Sequence, residues 1–220
     1  MNKYLKFGII SATSAAFVAF IASRRKGSSV AQKRKAVKMG YSKFQKYPIF
    51  MDAILKGESH TYNDYNYKTS SGYGSYLYGK TKSASRLSKK LEDMTIAEVL
   101  SAQNKGLIFA VGRYQMIPVT LNWAVNALKM NVNLKFNEEN QDKLGTALVD
   151  LKRPFVSQYL NGKVADTDDN LTKAVYHTAM EWSSVANPYT GVSYYPRDRA
   201  STSSDKARAA LREQRKLITG

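Results

Sequence analysis

Tyr47–His60 reads YPIFMDAILKGESH, and this stretch contains the clearest helix signals in the chain. Pro48 suits the first helical turn, where its missing amide hydrogen would have no partner. Apolar residues then recur at helical spacing, at Ile49, Phe50, Ala53 and Ile54. Because Gly57 is a natural helix stop, the pattern predicts a helix that ends beside Glu58. The Glu58 carboxyl group is therefore expected at a helix terminus, next to a polar turn.

The rest of the chain also reads as helical. A capping box at Thr95–Glu98 predicts a helix over 96–104. Further helices are predicted over 118–129, 138–160, 170–183 and 204–217, with Pro154 kinking or dividing the third of these. Residues 61–80 are rich in tyrosine and could form a small hairpin, but sustained strand alternation is absent from the sequence. The predicted fold class is mainly α, with a small lobe that could contain strands.

Composition excludes several kinds of chemistry. The chain has 220 residues, enough for one domain with a core and tails. It contains no cysteine, which rules out cysteine nucleophiles and zinc–thiolate sites. Its two histidines are too few to build a histidine metal site. We therefore expect neither a metal nor an organic cofactor.

The net charge of +17 is concentrated at the two ends of the chain. Residues 1–50 contain no Asp or Glu, residues 51–196 are close to neutral, and residues 197–220 are basic again. Cationic tails are attracted to anionic surfaces such as nucleic acid, lipid or bacterial envelope polymers. The sign of the charge alone does not choose among these partners.

An uncharged stretch lies close to the N-terminus. Phe7–Ser23 lacks charged residues, and basic clusters stand on both sides of it. It is short for a membrane span, which needs roughly 17–25 residues, and it is diluted by Ser, Thr and Ala. We predict a weak membrane anchor or export signal over 1–26, with a buried helix as the alternative, and a basic linker over 27–46. This predicts a protein at the inner membrane of a bacterium or in its periplasm.

Three segments carry a resemblance to a known family. Ala110–Gln115 reads AVGRYQ, Glu181–Val185 reads EWSSV, and Glu58 lies upstream of both. In this order they resemble the phage endolysins of the lambda type, which are peptidoglycan lytic transglycosylases of the lysozyme superfamily. The similarity covers roughly residues 48–200. It implies a lysozyme-like catalytic domain over 47–200, followed by a basic C-terminal helix over 201–220.

The resemblance also implies roles for individual residues. Glu58 would be the catalytic acid and base, and Tyr114 and Gln115 would line the groove near the scissile bond. Arg113 would either bind substrate carboxylates or pair with a structural acid. Trp182 is expected in the core. The remaining predicted substrate-binding residues are Ser59, His60 and Tyr176.

A single carboxyl group suffices for a lytic transglycosylase, whereas ordinary glycoside hydrolysis uses two. Asp64 and Glu181 are the two candidates for a second catalytic carboxylate, and such a carboxylate in the groove would permit hydrolysis. Asp64 could instead cap a turn, and Glu181 could instead form an ion pair on a helix surface.

The preferred hypothesis is a phage lysis enzyme that cleaves the MurNAc–GlcNAc bond of peptidoglycan and forms 1,6-anhydro-muramic ends. It would be a monomer that contacts anionic membrane or envelope polymers, without a specific nucleic acid partner. Alternatives are a hydrolytic lysozyme, a wall-degrading enzyme carried in the phage particle, and a non-enzymatic basic scaffold or nucleic-acid-binding protein.

Overall fold

The computed structural model describes residues 42–220, and the predicted anchor over 1–26 lies outside the described residues. The described part is mainly helical, with one two-stranded sheet, as the sequence predicts at this coarse level. In this part of the chain, no helix combines the length and the apolar character needed to cross a membrane.

Seven α-helices and two strands follow one another along residues 42–220. They are α1 (Pro48–Leu55), β1 (Tyr65–Thr69), β2 (Gly72–Tyr76), α2 (Ile96–Asn104), α3 (Pro118–Ala127), α4 (Glu138–Ala147), α5 (Pro154–Leu160), α6 (Asp168–Ala179) and α7 (Ser204–Thr219). A 3₁₀ turn at Leu91–Asp93 precedes α2, and a π-helical turn at Leu148–Lys152 joins α4 to α5.

Local sequence signals explain where several helices begin. Thr95 and Glu98 form the predicted capping box, in which each side chain accepts a hydrogen bond from the other residue's amide. Ser203 caps α7 in a similar way through the amide of Lys206. The predicted 138–160 helix is divided before Pro154, because proline cannot donate the hydrogen bond that would continue the helix.

The tyrosine-rich segment does form a hairpin. Strands β1 and β2 pair in antiparallel register from Tyr65 opposite Tyr76 to Thr69 opposite Gly72. Asn66 ties this hairpin to the helical body, since its amide donates to the Ala110 carbonyl at 2.9 Å and its side chain accepts from the Ala110 amide at 2.8 Å. The hairpin thus lies beside the chain segment that leads into AVGRYQ.

The C-terminal helix belongs to the same core as the first helix. Ala207 and Leu211 of α7 are fully buried, and α7 packs along α1. The Gln214 side chain accepts a hydrogen bond from the Ile49 amide at 2.9 Å, at the start of α1 where no intrahelical partner exists. The C-terminal helix predicted within 201–220 is present, and it packs on α1.

Most of the predicted linker over 27–46 lies outside the described residues, which include only its last five positions, 42–46. Ser42 donates a hydrogen bond to Asp142, and the Lys46 ammonium lies 2.6 Å from the Asp150 carboxylate. These contacts join residues 42–46 to α4 and to the π-helical turn. The folded domain therefore begins several residues before Tyr47.

Candidate active site

A groove with a volume of about 500 Å³ runs between the hairpin and the helical body. Its lining comes from both strands, the start of α3, the π-helical turn and several connecting segments. The residues that line it are Glu58, Asn66, Tyr73, Ser75, Phe109, Ala110, Tyr114, Gln115, Ile117, Thr120, Leu148, Lys152, Glu181, Trp182, Ser183, Tyr195 and Asp198. A cavity of this size fits the range of roughly 300–1,000 Å³ that is usual for ligand sites.

Glu58 is placed in this groove by the tight end of α1. The Glu58 amide donates to the Leu55 carbonyl at 3.0 Å, which closes the last turn. A Cβ atom on Gly57 would lie 2.3 Å from Ser201 Oγ and 2.9 Å from Ser184 Cβ, so glycine permits this close approach. The Ser184 amide then donates to the Glu58 carboxylate at 3.1 Å.

The surroundings of Glu58 favour its protonated form. Burial raises the pKa of Glu58, the hydrogen bond from Ser184 opposes this shift, and the negative charge of Asp198 adds to it. A carboxyl group in this position keeps its proton at a pH where an exposed glutamate has lost it. Glu58 can therefore serve as a general acid toward a group bound in the groove.

The AVGRYQ segment forms a tight turn. Gly112 has φ +72, and a Cβ atom there would lie 2.1 Å from Gln141 Oε1. Gln115 also has a left-handed backbone, with φ 45, which is uncommon for a residue other than glycine. Its side-chain amide donates to the Gly112 carbonyl at 2.8 Å, which orients Gln115 at the groove wall.

Tyr114 and Arg113, from the same motif, form hydrogen bonds and an ion pair within the protein. The Tyr114 ring lines the groove, but its hydroxyl turns away from it and donates to Asp142 at 2.6 Å. Arg113 donates to the Ser59 carbonyl at 2.6 Å and pairs with Asp52 at 3.2 Å. Of the two predicted roles for Arg113, pairing with a structural acid agrees with these contacts, and Arg113 is not among the residues that line the groove.

Ser59 and His60, which were predicted to bind substrate, do not line the groove. Ser59 is buried, and its hydroxyl donates to the Arg113 carbonyl at 3.0 Å. His60 is exposed to solvent. Of Glu58, Ser59 and His60, only Glu58 is among the residues that line the groove, and the substrate-binding roles of the other two stay predictions.

The Asp64 alternative for a second acid is contradicted by its contacts. Asp64 is fully buried and accepts hydrogen bonds from the amides of His60, Thr61 and Tyr78, at 2.7, 3.0 and 2.7 Å. It also accepts from the Thr61 hydroxyl at 2.9 Å. Asp64 is therefore a turn-capping residue, and it is absent from the groove lining.

Glu181 does line the groove, but it is paired with two cations. Its side chain is 3% exposed and contacts Lys152 at 2.7 Å and Arg153 at 2.8 Å. This ion pair is buried, unlike the surface pair considered from the sequence. Because both oxygens are engaged, Glu181 is poorly suited to act as a base or a nucleophile. Its neighbour Trp182 packs edge-on against Phe50, as expected for a core residue.

Sequence reasoning missed Asp198 and Tyr195. Asp198 is an exposed carboxylate on the same groove as Glu58, and Tyr195 stands beside it. Both lie in an irregular segment without periodicity, in which Tyr195 follows Tyr194, and Asp198 stands between Arg197 and Arg199. Only the fold brings them to Glu58. Tyr176, which was predicted to bind substrate, is not among the groove residues and packs against Tyr189 and Tyr194.

Comparisons of the chain with protein-family models, curated proteins and solved structures found no match. Within residues 42–220, the side chains form no group of three or more His, Asp or Glu that could hold a metal ion.

Proposed function

We propose that this protein cleaves the glycan strands of peptidoglycan as a lytic transglycosylase, with Glu58 as its single acid and base. The observation that carries the proposal is the position of Glu58, a carboxyl group with a raised pKa that lines a large groove between two parts of the fold. The motif resemblance and the place of Gln115 on the same groove give further support.

The proposed reaction needs one proton donor that later accepts a proton. Protonated Glu58 gives its proton to the oxygen that links C1 of MurNAc to GlcNAc, and the C1–O bond breaks as GlcNAc leaves. The Glu58 carboxylate then takes the proton of the muramic C6 hydroxyl, and that oxygen bonds to C1. The products are a free GlcNAc hydroxyl and a 1,6-anhydro end, and Glu58 is protonated again.

The groove also carries groups that can orient a sugar chain. Gln115 and Asn66 are held by backbone hydrogen bonds, which fixes the polar atoms that they present. Tyr73 is exposed at the hairpin side and packs against Phe109 at 5.1 Å between ring centroids. In this proposal, these residues position the strand so that the scissile oxygen meets Glu58.

Asp198 supports a second candidate, a hydrolytic lysozyme. Hydrolysis requires a second carboxylate, as a base that activates water or as a nucleophile. Asp198 lines the groove and raises the pKa of Glu58. Unlike Asp64 and Glu181, Asp198 is not engaged by buried hydrogen-bond donors or by a pair of cations among the described contacts. Product chemistry separates the two candidates.

The test is digestion of purified peptidoglycan by the full chain, followed by analysis of the new ends. We expect 1,6-anhydro-muramic ends from the wild type and a loss of at least about 100-fold in Glu58→Gln, because general acid catalysis is removed. Glu139→Gln, which alters an exposed surface pair with Lys143, is the matched control and should keep full activity.

Two results would change the proposal. Reducing ends in place of anhydro ends would favour hydrolysis, and Asp198→Asn should then abolish activity. Full activity in a folded Glu58→Gln variant would remove Glu58 from the mechanism.

A further inference from the structure

Beyond Tyr195, the groove continues into a cluster of four tyrosines that the proposed reaction does not use. This tyrosine platform consists of Tyr176, Tyr189, Tyr194 and Tyr195. Tyr195 belongs both to the groove lining and to the platform, so the two surfaces are continuous. The platform combines a residue of α6 with three residues of the segment that follows Trp182.

The rings of the platform pack against one another edge to face. Tyr176 stands in the middle, with its ring centroid 5.4 Å from that of Tyr189 and 5.8 Å from that of Tyr194. Tyr194 in turn lies 5.3 Å from Tyr195. Edge-to-face packing is a favoured geometry for aromatic pairs. It holds the rings in place without burying all of their faces.

The segment that carries these tyrosines is fixed by hydrogen bonds. The Tyr195 hydroxyl donates to the Met180 carbonyl at 2.8 Å, and the Tyr195 amide donates to Ser193 Oγ at 3.2 Å. Near Tyr189, the Asn187 side chain accepts from the Tyr189 amide at 3.0 Å, and the Gly191 amide donates to the Asn187 carbonyl at 2.8 Å. Specific hydrogen bonds therefore fix the conformation of the segment that carries the tyrosine platform.

Although they are held in place, the tyrosines remain open to solvent. Tyr189 is 66% exposed, Tyr195 41% and Tyr194 38%. Core packing does not account for side chains this exposed, and contiguous exposed apolar surface commonly marks a binding site. Tyrosine suits such a surface because it offers a rigid ring and a hydroxyl at a small cost in side-chain entropy.

We propose that the tyrosine platform is an additional carbohydrate-binding site, which holds the sugar units of a glycan strand where the strand leaves the groove. The inference rests on the proposed function, because the strand has to pass Glu58 to reach Tyr195. The flat C–H faces of sugar rings stack on the exposed phenol rings, and sugar hydroxyls bond to the phenol hydroxyls. Long strands therefore bind more tightly than fragments that fill the groove alone.

The test measures the affinity of the full chain for peptide-free glycan strands of two lengths, a tetrasaccharide and strands several times longer. All variants carry Glu58→Gln so that the strands stay intact. We expect Tyr189→Ala combined with Tyr194→Ala to weaken binding of long strands about tenfold, which corresponds to about 1.4 kcal/mol. Binding of the tetrasaccharide should not change.

Two further variants serve as controls. Phe44→Ala removes an exposed aromatic ring outside the platform and should leave both affinities unchanged. Tyr189→Trp keeps an aromatic face and should retain the affinity for long strands. Because Tyr189 is largely exposed, Tyr189→Ala alone supplies a folded variant, with an expected loss of a few-fold, if the double variant proves unstable.

Several outcomes would overturn the inference. One is an unchanged affinity for long strands in the double variant, and another is an equal loss for the tetrasaccharide. A third is loss of binding to phosphatidylglycerol vesicles with glycan binding intact, which would make the platform a membrane contact. Cleavage by the chain with native Glu58 is measured in parallel. If the chain cleaves peptidoglycan but the variants bind long strands as tightly as before, the platform proposal is refuted and the proposed function is not. If the chain does not cleave peptidoglycan, the result counts against the proposed function.

Discussion

The carboxyl group of Glu58 occupies a place that destabilises its ionised form. It receives one hydrogen bond from the Ser184 amide, it lacks a cation among its described partners, and Asp198 faces the same groove. The other charges on the groove, Lys152 and Glu181, compensate each other at 2.7 Å. Such surroundings destabilise the folded protein when Glu58 is ionised. They also keep a proton on Glu58 that can be donated to a bound group.

This cost predicts a pH-dependent gain in stability for Glu58→Gln. Because the folded pKa of Glu58 lies above its unfolded value, the folded state binds the proton more tightly. Its contribution to stability is therefore fully present below the unfolded pKa and is lost as pH rises through the folded pKa. We expect Glu58→Gln to be more stable by about 1 kcal/mol at neutral pH.

Thermal unfolding of both proteins across pH measures this effect. The difference in Tm should disappear below about pH 4, where Glu58 is protonated in the folded and unfolded states alike. A difference that is independent of pH would show that the Glu58 proton does not contribute to stability.

Asp198 gives a second prediction at the scale of the residue. Its negative charge raises the pKa of Glu58, so Asp198→Asn should lower that pKa. The alkaline limb of the pH–rate profile, where Glu58 loses its proton, should then move to lower pH, while anhydro ends remain the product. Asp169→Asn, an exposed acid on α6, is the control and should leave the profile unchanged. A profile that does not move would exclude coupling between the two carboxyl groups.

At the scale of elements, the AVGRYQ turn joins the hairpin, α1 and α4. The Gly112 amide donates to the Asp64 carbonyl at 2.7 Å, and the Arg113 amide donates to Gln141 Oε1 at 2.9 Å. These contacts, together with the Arg113–Asp52 ion pair, fix the position of this turn at the groove wall. Most of the motif is structural, and Gln115 is the member that presents a polar group to the groove.

Two glycines with the same backbone conformation give a matched test of this turn. Gly112 has φ +72 and no space for a Cβ atom, whereas Gly79 has φ +73 and no atom within 4 Å of that position. Gly79→Ala should cost about 1–2 kcal/mol for the left-handed backbone alone. Gly112→Ala should cost about 3 kcal/mol or more, because the clash with Gln141 adds to that penalty.

Denaturant unfolding of the two variants gives the comparison, and peptidoglycan digestion reports the effect on the groove. Equal costs for Gly112→Ala and Gly79→Ala would mean that the turn tolerates displacement of Gln141.

Elements with local signals could be predicted from the sequence, and contacts between distant residues could not. The starts of α1 and α2 follow from Pro48 and from the Thr95–Glu98 capping box. The direction of the Tyr114 hydroxyl depends on Asp142, which belongs to another helix. Asp198 reaches the groove only through the path of an irregular segment. Site residues that lack a local pattern require the folded chain.

At the scale of the whole molecule, the described residues share one hydrophobic core, and the first and last helices of this part both contribute to it. Leu211 of α7 is fully buried in the cluster that contains Phe50 and Ile54 of α1. Helix α7 therefore supports α1, which ends three residues before Glu58.

Leu211→Ala should destabilise the protein by about 2–4 kcal/mol, since it leaves a cavity in the core. Glu213→Ala, on the exposed face of the same helix, should change stability by less than about 0.5 kcal/mol. Chemical denaturation measures both. A cost for Leu211→Ala as small as that for Glu213→Ala would show that α7 is an appendage and not a part of the core.

The hydrogen bond from the Ile49 amide to Gln214 has a consequence for synthesis. Until residues 204–219 have left the ribosome, the start of α1 lacks this acceptor and the packing of Ala207 and Leu211. We therefore expect α1, and with it the position of Glu58, to become stable only after those residues have emerged.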